Sequence, residues 1–174
     1  MPKIIENIRE KLMEEAKRQI MENGYSAMTI RSVAKACGVG VGTVYNYFPS
    51  KDMLIANFVL DDWIQTMAAI NKGMIEAENV EMALRCMYEE LLAFREKNRK
   101  LFADENAGAS YGASSMNRHN LLCEQLAAPL KMWTEKQTRV DADFLARFIA
   151  ESMLSWTKSE TDFEQIAGIL LQLL

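Results

Sequence analysis

Residues 28–54 read MTIRSVAKACGVGVGTVYNYFPSKDML, and this stretch decides the fold. Its pattern predicts two short helices joined by a tight turn. In such a motif, the first helix needs a small residue where the second helix crosses it closely. The turn needs a glycine, because its backbone adopts a positive φ. Ala34 and Gly38 meet these two needs, and Val44 supplies an apolar anchor for the second helix. The spacing therefore predicts a helix-turn-helix.

Helical periodicity continues on both sides of this motif, and no strand-forming run interrupts it. Pro129 is expected to kink or split its helix, and Thr161 with Glu164 predicts a capping box. The chain is therefore expected to be all-α with about nine helices. The predicted helices cover about 3–22, 29–36, 40–47, 51–74, 80–97, a short one after 101, 116–136, 142–157 and 162–173.

The charge distribution suits an element that approaches nucleic acid. The chain has a net charge of −4, yet residues 25–51 contain no acidic residue. Their charged side chains are Arg31, Lys35 and Lys51. Repulsion by phosphate is therefore absent from this one segment.

Composition also limits the chemistry that we expect. The cysteines at 37, 86 and 123 lie far apart, without a CxxC pair or a histidine in ligand spacing. We therefore predict no disulfide, no metal site and no cofactor, and a reducing cytoplasm as the location. One histidine and no glycine-rich phosphate loop argue against an enzyme. No apolar run approaches the ~18 residues of a membrane span, so no membrane association is expected.

The quoted string closely resembles the signature of the TetR family of bacterial repressors, and the resemblance extends over about 8–58. It implies an all-helical fold with a three-helix DNA-binding head over 1–50. A helical core for effector binding and dimerisation would follow over 51–174, with a homodimer built on the last two helices. The implied function is transcriptional repression at a palindromic operator in double-stranded DNA, relieved by a small molecule.

Within the motif, each residue type suggests a role at the DNA. Thr29 is predicted to cap the first short helix, and its hydroxyl together with that helix N-terminus is suited to a phosphate. Arg31 is long enough for a bidentate contact to guanine. Glycines permit close approach of the second helix to the major groove, while hydroxyl and ammonium groups suit phosphates. Family members often carry serine and lysine at positions 40 and 41, which are Gly and Val here, so DNA shape should matter more. The predicted DNA-binding residues are Thr29, Arg31, Gly40, Val41, Gly42, Thr43, Tyr45, Asn46, Tyr47 and Lys51.

The central region is rich in methionine and aromatic residues, which line pockets for apolar ligands but also fill ordinary cores. We expect a small apolar or aromatic effector there. Residues 103–115, rich in Ala, Gly and Ser, form either a gate to that pocket or an ordinary loop. The predicted pocket residues are Trp63, Met67, Met87, Tyr88, Leu91, Phe102, Met116, His119 and Cys123.

Apolar stripes on the last two predicted helices suit a four-helix interface between two subunits, although they could also pack on the chain's own core. The predicted interface residues are Phe144, Phe148, Trp156, Ile166, Leu170 and Leu173. The alternative to a DNA-binding regulator is a helical protein-interaction module with a vestigial helix-turn-helix. A lack of salt-sensitive DNA affinity would favour that alternative.

Overall fold

The computed structural model describes residues 7–105, 107, 115–136, 140–159 and 161–174, with the backbone alone for 115–118. These residues form nine helices and no strand, which confirms the all-α prediction. The predicted boundaries agree with the observed ones to within a few residues, since they follow from apolar spacing and capping residues. The helices are α1 (Ile8–Asn23), α2 (Ile30–Ala36), α3 (Val41–Tyr47), α4 (Lys51–Glu76), α5 (Val80–Lys97), α6 (Arg99–Phe102), α7 (Ser115–Thr134), α8 (Ala142–Lys158) and α9 (Phe163–Leu170).

Side-chain caps account for several helix starts. The Ser50 hydroxyl accepts a hydrogen bond from the backbone N–H of Met53 at 3.1 Å, at the start of α4. The last helix begins one residue later than predicted and ends three residues earlier. Its cap is Asp162, whose carboxylate accepts from the N–H of Glu164 at 3.0 Å, and the predicted box at Thr161 is wrong.

Pro129 lies inside α7 and does not split it. The missing N–H costs the helix one hydrogen bond. Leu126 and Leu130 are fully buried on either side of the proline, so core packing holds this turn in helical conformation.

The chain divides into two compact units, Met1–Asp62 with Asn98–Ala113, and Trp63–Lys97 with Ser114–Leu174. The first twelve residues of α4 thus belong to the first unit, which extends beyond residue 50. The core of the first unit is formed by the inner faces of α1 to α4 and by the α6 segment. Its largest fully buried side chains are Leu12, Ile20, Met28, Phe48, Leu54 and Ile55.

A buried ion pair joins three segments of the first unit. Asp62 on α4 is buried and pairs with the ammonium of Lys17 on α1. The side-chain amide of Asn98, at the start of α6, donates to the same carboxylate at 3.2 Å. Since a buried charge without partners is costly, this network fixes α1, α4 and α6 together.

The second unit is built around α5, which contacts α8 and α9, while α7 packs along α8. Its fully buried side chains come from all five of its helical segments, and they include Ile70, Met74, Leu84, Met87, Leu126, Leu130 and Ile149.

By length and hydropathy, α4 is the one helix among the described residues that meets the criterion for a membrane span, with a mean hydropathy of 1.2 over 18 residues. This feature was not predicted from the sequence, because charged residues interrupt every apolar run. The core helix of a soluble protein meets the same criterion, and α4 contributes Leu54, Phe58, Ile70 and Met74 to the two cores. We therefore explain the apolar character of α4 by packing.

Candidate functional site

The turn between α2 and α3 has the geometry that the motif requires. Gly38 has φ 68°, a left-handed conformation that favours glycine. The backbone N–H of Val39 donates to the carbonyl of Ala34 at 3.0 Å, closing α2. Ala34 and Val44 are buried, which confirms their predicted roles, and Phe48 is buried beside them. The outer face of α3 is therefore held at a defined position relative to α2.

The start of α2 is closed by a capping box that the sequence analysis predicted only in part. The Thr29 hydroxyl accepts from the backbone N–H of Ser32, and the Ser32 hydroxyl accepts from the backbone N–H of Thr29, both at 3.0 Å. The Ser32 hydroxyl also donates to the Gln19 side chain of α1 at 2.6 Å. Thr29 is thus exposed but already engaged in the cap, which orients α2 on α1.

An open groove of about 470 Å³ runs along the outer face of α2 and α3. The structure brings five of the predicted DNA-binding residues together in its lining. Tyr45 is half exposed, whereas its neighbour Val44 on α3 is fully buried, so α3 has a buried inner face and an exposed outer face. The predicted residues that line the groove are Thr29, Arg31, Val41, Tyr45 and Lys51.

The other five predicted residues lie on α3 outside that groove. Thr43 is partly buried, and the remaining four are exposed. Gly40 is the N-cap of α3 and has φ −71°, so its backbone conformation does not require glycine. The N-terminal end of α3 therefore exposes backbone groups and small side chains. These five residues are Gly40, Gly42, Thr43, Asn46 and Tyr47.

Lys51 has protein partners in addition to its place in the groove. Its ammonium donates to the backbone carbonyl of Tyr25 at 2.6 Å and lies 3.8 Å from the centre of the Tyr25 ring. Burial lowers the pKa of the Lys51 ammonium, and the nearby carboxylates of Asp52 and Asp104 oppose that shift. If Lys51 contacts a phosphate, its ammonium also keeps its interactions with Tyr25. Tyr25 was not predicted as a site residue.

A second open groove, of about 660 Å³, lies between α4 and α7 within the second unit. Trp63 and Met67 line it, as predicted for an effector pocket. The Trp63 indole N–H donates to the Gln125 side chain at 2.6 Å, and its ring meets that of Phe94 edge to face. Six further lining residues were not predicted, because sequence alone does not show which face of α4 meets α7. They are Ile64, Ala68, Asn71, Gln125, Ala128 and Pro129.

The remaining predicted pocket residues need correction. Met87, Tyr88 and Leu91 are buried in the core of the second unit, since the inner stripe of α5 packs against its neighbours, and they do not line the groove. Phe102 is exposed and belongs to the first unit. The Met116 side chain and most of the predicted gate at 103–115 lie outside the described residues.

His119 and Cys123 form a pair rather than part of the groove. His119 is exposed, Cys123 is buried, and the imidazole Nε2 lies 3.5 Å from the Cys123 Sγ. The expectation that no histidine lies in ligand spacing from a cysteine is therefore wrong. Residues four apart on a helix share a face, and this spacing was the signal available in the sequence.

The predicted interface residues divide into two groups. Phe144 and Phe148 on α8 are 64% and 42% exposed, and Leu173 is also exposed. Ile166 and Leu170 are fully buried in the second unit, and Trp156 packs partly against the same core. Ile166 and Leu170 are thus corrected to core residues, since the inward stripe of α9 faces its own chain.

The chain is similar in sequence to bacterial transcriptional regulators. The profile described as "Bacterial regulatory proteins, tetR family" matches residues 12–57. The HTH-type transcriptional regulator UidR of Escherichia coli K12 is 21% identical over 71% of this chain and 64% of its own length. The HTH-type transcriptional repressor KstR of Rhodococcus jostii is 27% identical over 84% of this chain and 69% of its own. The match thus spans just under two thirds of the UidR chain.

The fold has counterparts among solved structures. The transcriptional regulator FadR from Bacillus subtilis, solved in complex with stearoyl-CoA, superimposes with a TM-score of 0.56 at 17% identity. The superposition covers 94% of this chain and 96% of that one. Residues 12–57 therefore combine helix-turn-helix geometry with the sequence profile of the tetR family of bacterial regulatory proteins.

Proposed function

We propose that the chain is a cytoplasmic transcriptional repressor that binds a palindromic operator as a homodimer and acts by binding rather than catalysis. The observation that supports this most is the outer face of α2 and α3. There, hydroxyl, guanidinium and ammonium groups that suit DNA line a groove, and buried residues hold the helix-turn-helix that carries them in place. We assign DNA contact to residues 1–50, and effector binding and dimerisation to 51–174.

In this proposal, the tip of α3 enters the major groove and Arg31 reads a base edge from α2. The tip carries few polar side chains, so sequence discrimination rests on Arg31 and on DNA shape. Thr29, Tyr45 and Lys51 contact phosphates, which position the protein without reading sequence.

Dimerisation follows from the size of the motif. One helix-turn-helix reads only a half-site, and a two-fold partner doubles the contact and matches a palindrome. The exposed apolar side chains of α8 and the C-terminal segment, Phe144, Phe148 and Leu173, support an interface at this end of the chain.

We further propose that the α4–α7 groove binds the effector. Its lining is mostly apolar, with the Asn71 and Gln125 amides as hydrogen-bonding groups, and this composition suits a small apolar or aromatic molecule that has one polar end. The FadR complex is consistent with a lipophilic effector in this fold. Because α4 contributes to both compact units, a ligand that shifts α4 changes the operator-binding arrangement.

The test of DNA binding uses the purified full chain and a labelled fragment from upstream of its own gene. Fluorescence anisotropy is measured at several salt concentrations, with a scrambled fragment of the same composition as control. We expect tighter binding to the upstream fragment and a linear loss of log affinity with log salt. Affinity that is weak and insensitive to salt on both fragments would instead support the protein-interaction module.

The test of the effector groove adds decanoate, 1-naphthol and stearoyl-CoA to the protein, with citrate as a charged control. We expect the apolar probes to raise the melting temperature and to release the operator fragment. Trp63→Ala and Gln125→Ala should weaken both effects, whereas the exposed Lys72→Ala, a variant on α4 outside the groove lining, should not. Stabilisation by citrate alone would exclude an apolar effector.

A further inference from the structure

Three side chains of different metal-ligating types meet on α7 and α8 of the second unit. They are His119, Cys123 and Glu151, and their nearest donor atoms all lie within 4.8 Å of one another. His119 and Cys123 lie one turn apart on α7, and Glu151 comes from α8, which packs along α7. None of the three lines the α4–α7 groove.

The distance within the pair suits a tetrahedral metal ion. Zinc binds imidazole nitrogen at about 2.0–2.1 Å and thiolate sulfur at about 2.3 Å, which places the two atoms about 3.5 Å apart across a tetrahedral angle. The observed separation of His119 Nε2 and Cys123 Sγ is 3.5 Å. The two side chains therefore already have the spacing of a chelate.

A second layer of contacts orients the third donor. The Arg147 guanidinium donates to one oxygen of Glu151 at 3.0 Å and to the Asn120 side chain at 3.1 Å. The hydrogen bond from Arg147 goes to Oε1 of Glu151, so Oε2 is the carboxylate oxygen that remains for a metal ion. Such outer contacts hold a ligating carboxylate in position.

The local charge also suits a cation. The carboxylates of Glu151 and Glu124 act on Cys123 electrostatically, and the guanidinium of Arg147 opposes them. A bound divalent ion would be attracted by these carboxylates, and the thiol proton would pass to solvent when the metal binds.

We propose that His119, Cys123 and Glu151 bind a divalent transition-metal ion of the zinc type, with the fourth position open to solvent. His119 and Glu151 are exposed, so the ion can enter from water, while the buried Cys123 closes the inner side. The mixed nitrogen, sulfur and oxygen set suits zinc or cobalt better than magnesium or calcium. The bound ion would link α7 to α8, independently of the effector groove.

The test titrates Co²⁺ into the full chain after chelator treatment and desalting. We expect the visible bands of tetrahedral cobalt together with a thiolate-to-cobalt charge-transfer band, both lost when Zn²⁺ is added. Absence of the charge-transfer band in the unsubstituted protein would overturn the proposal.

Variants identify the ligands. Cys123→Ser should abolish the charge-transfer band, and His119→Gln and Glu151→Gln should each weaken Co²⁺ binding by at least about 100-fold, since changes in outer contacts alone cost 10–100-fold. His119 is exposed, so its variant reports on the site even where Cys123→Ser perturbs folding. Cys37→Ser and Cys86→Ser are the matched thiol controls and should bind as before. An unchanged band in Cys123→Ser, or weaker binding only in the controls, would refute the assignment.

Discussion

At the scale of single residues, Arg31 and Tyr45 line the same groove but belong to different classes of DNA contact. A guanidinium reads a base edge through two parallel hydrogen bonds, whereas a phenol contacts a phosphate through one. Substitutions at the two positions should therefore have different signatures.

Arg31→Ala should reduce discrimination between the operator and a scrambled fragment by about 1–3 kcal/mol, because a bidentate base contact is lost. Competition binding measures this ratio. Lys35→Ala is the control, since Lys35 is an exposed cation on the same helix outside the groove lining. It should lower affinity for both fragments alike. If Arg31→Ala and the unsubstituted protein discriminate equally between the operator and the scrambled fragment, Arg31 does not contact a base.

Tyr45→Phe removes one hydroxyl from a half-exposed ring and keeps its packing. Affinity should fall by about 1.5–3 kcal/mol for every DNA sequence, the usual worth of a hydrogen bond to a charged group. The slope of log affinity against log salt should stay unchanged, since no charge is removed. A change in sequence preference, measured with the same pair of fragments, would contradict a phosphate contact.

At the scale of elements, the first unit depends on the ion pair that joins α1, α4 and α6. Asp62→Ala should lower the free energy of unfolding by about 3–5 kcal/mol, because it leaves Lys17 partly buried without its carboxylate. Urea denaturation followed by circular dichroism measures this loss. Asp61→Ala is the matched control on the same helix, since Asp61 makes only a long contact of 3.9 Å with Arg9. It should cost less than about 1 kcal/mol.

Within the second unit, α4 and α5 approach each other at a glycine. A methyl group on Gly73 would overlap the Cys86 Sγ, so Gly73→Ala should destabilise the protein by about 1–3 kcal/mol. Cys86→Ala in the same chain should recover part of this loss in thermal melts. Gly168→Ala is the control, because nothing lies within 4 Å of its added Cβ, and it should leave stability equal or higher. Equal melting temperatures for both glycine variants would argue against a close α4–α5 contact.

At the scale of the whole molecule, operator binding should depend on the oligomer. Phe148→Glu places a charge on an exposed apolar position of α8, so it should yield a folded monomer with greatly reduced operator affinity. Light scattering coupled to size-exclusion chromatography measures the mass. Ile75→Glu, at a 75% exposed position on α4, is the matched control and should remain dimeric. A dimer in both variants would place the interface elsewhere.

The DNA-binding head and its anchoring residues were predictable from sequence because their signals are local. The capping hydroxyl of Thr29, the turn at Gly38 and the buried Val44 lie within sixteen residues of one another, and each one acts on its neighbours in the chain. The positions of the longer helices follow similarly from apolar spacing of three and four residues, whereas the four-residue α6 lies at Arg99–Phe102, ahead of its predicted place. The sequence by itself therefore determined the fold class, the motif and the resemblance of that motif to the TetR family.

Only the tertiary structure decided which apolar residues face a groove, a core or solvent. Met87 was predicted to line the effector pocket and Ile166 to form the dimer interface, yet both lie in the core. Gln125, in contrast, lines a groove that no spacing rule predicts. Glu151 reaches His119 and Cys123 only because α8 packs along α7, although Glu151 lies far from them in sequence. A helical pattern specifies which face is apolar but not which neighbour covers it, since that depends on contacts between distant segments.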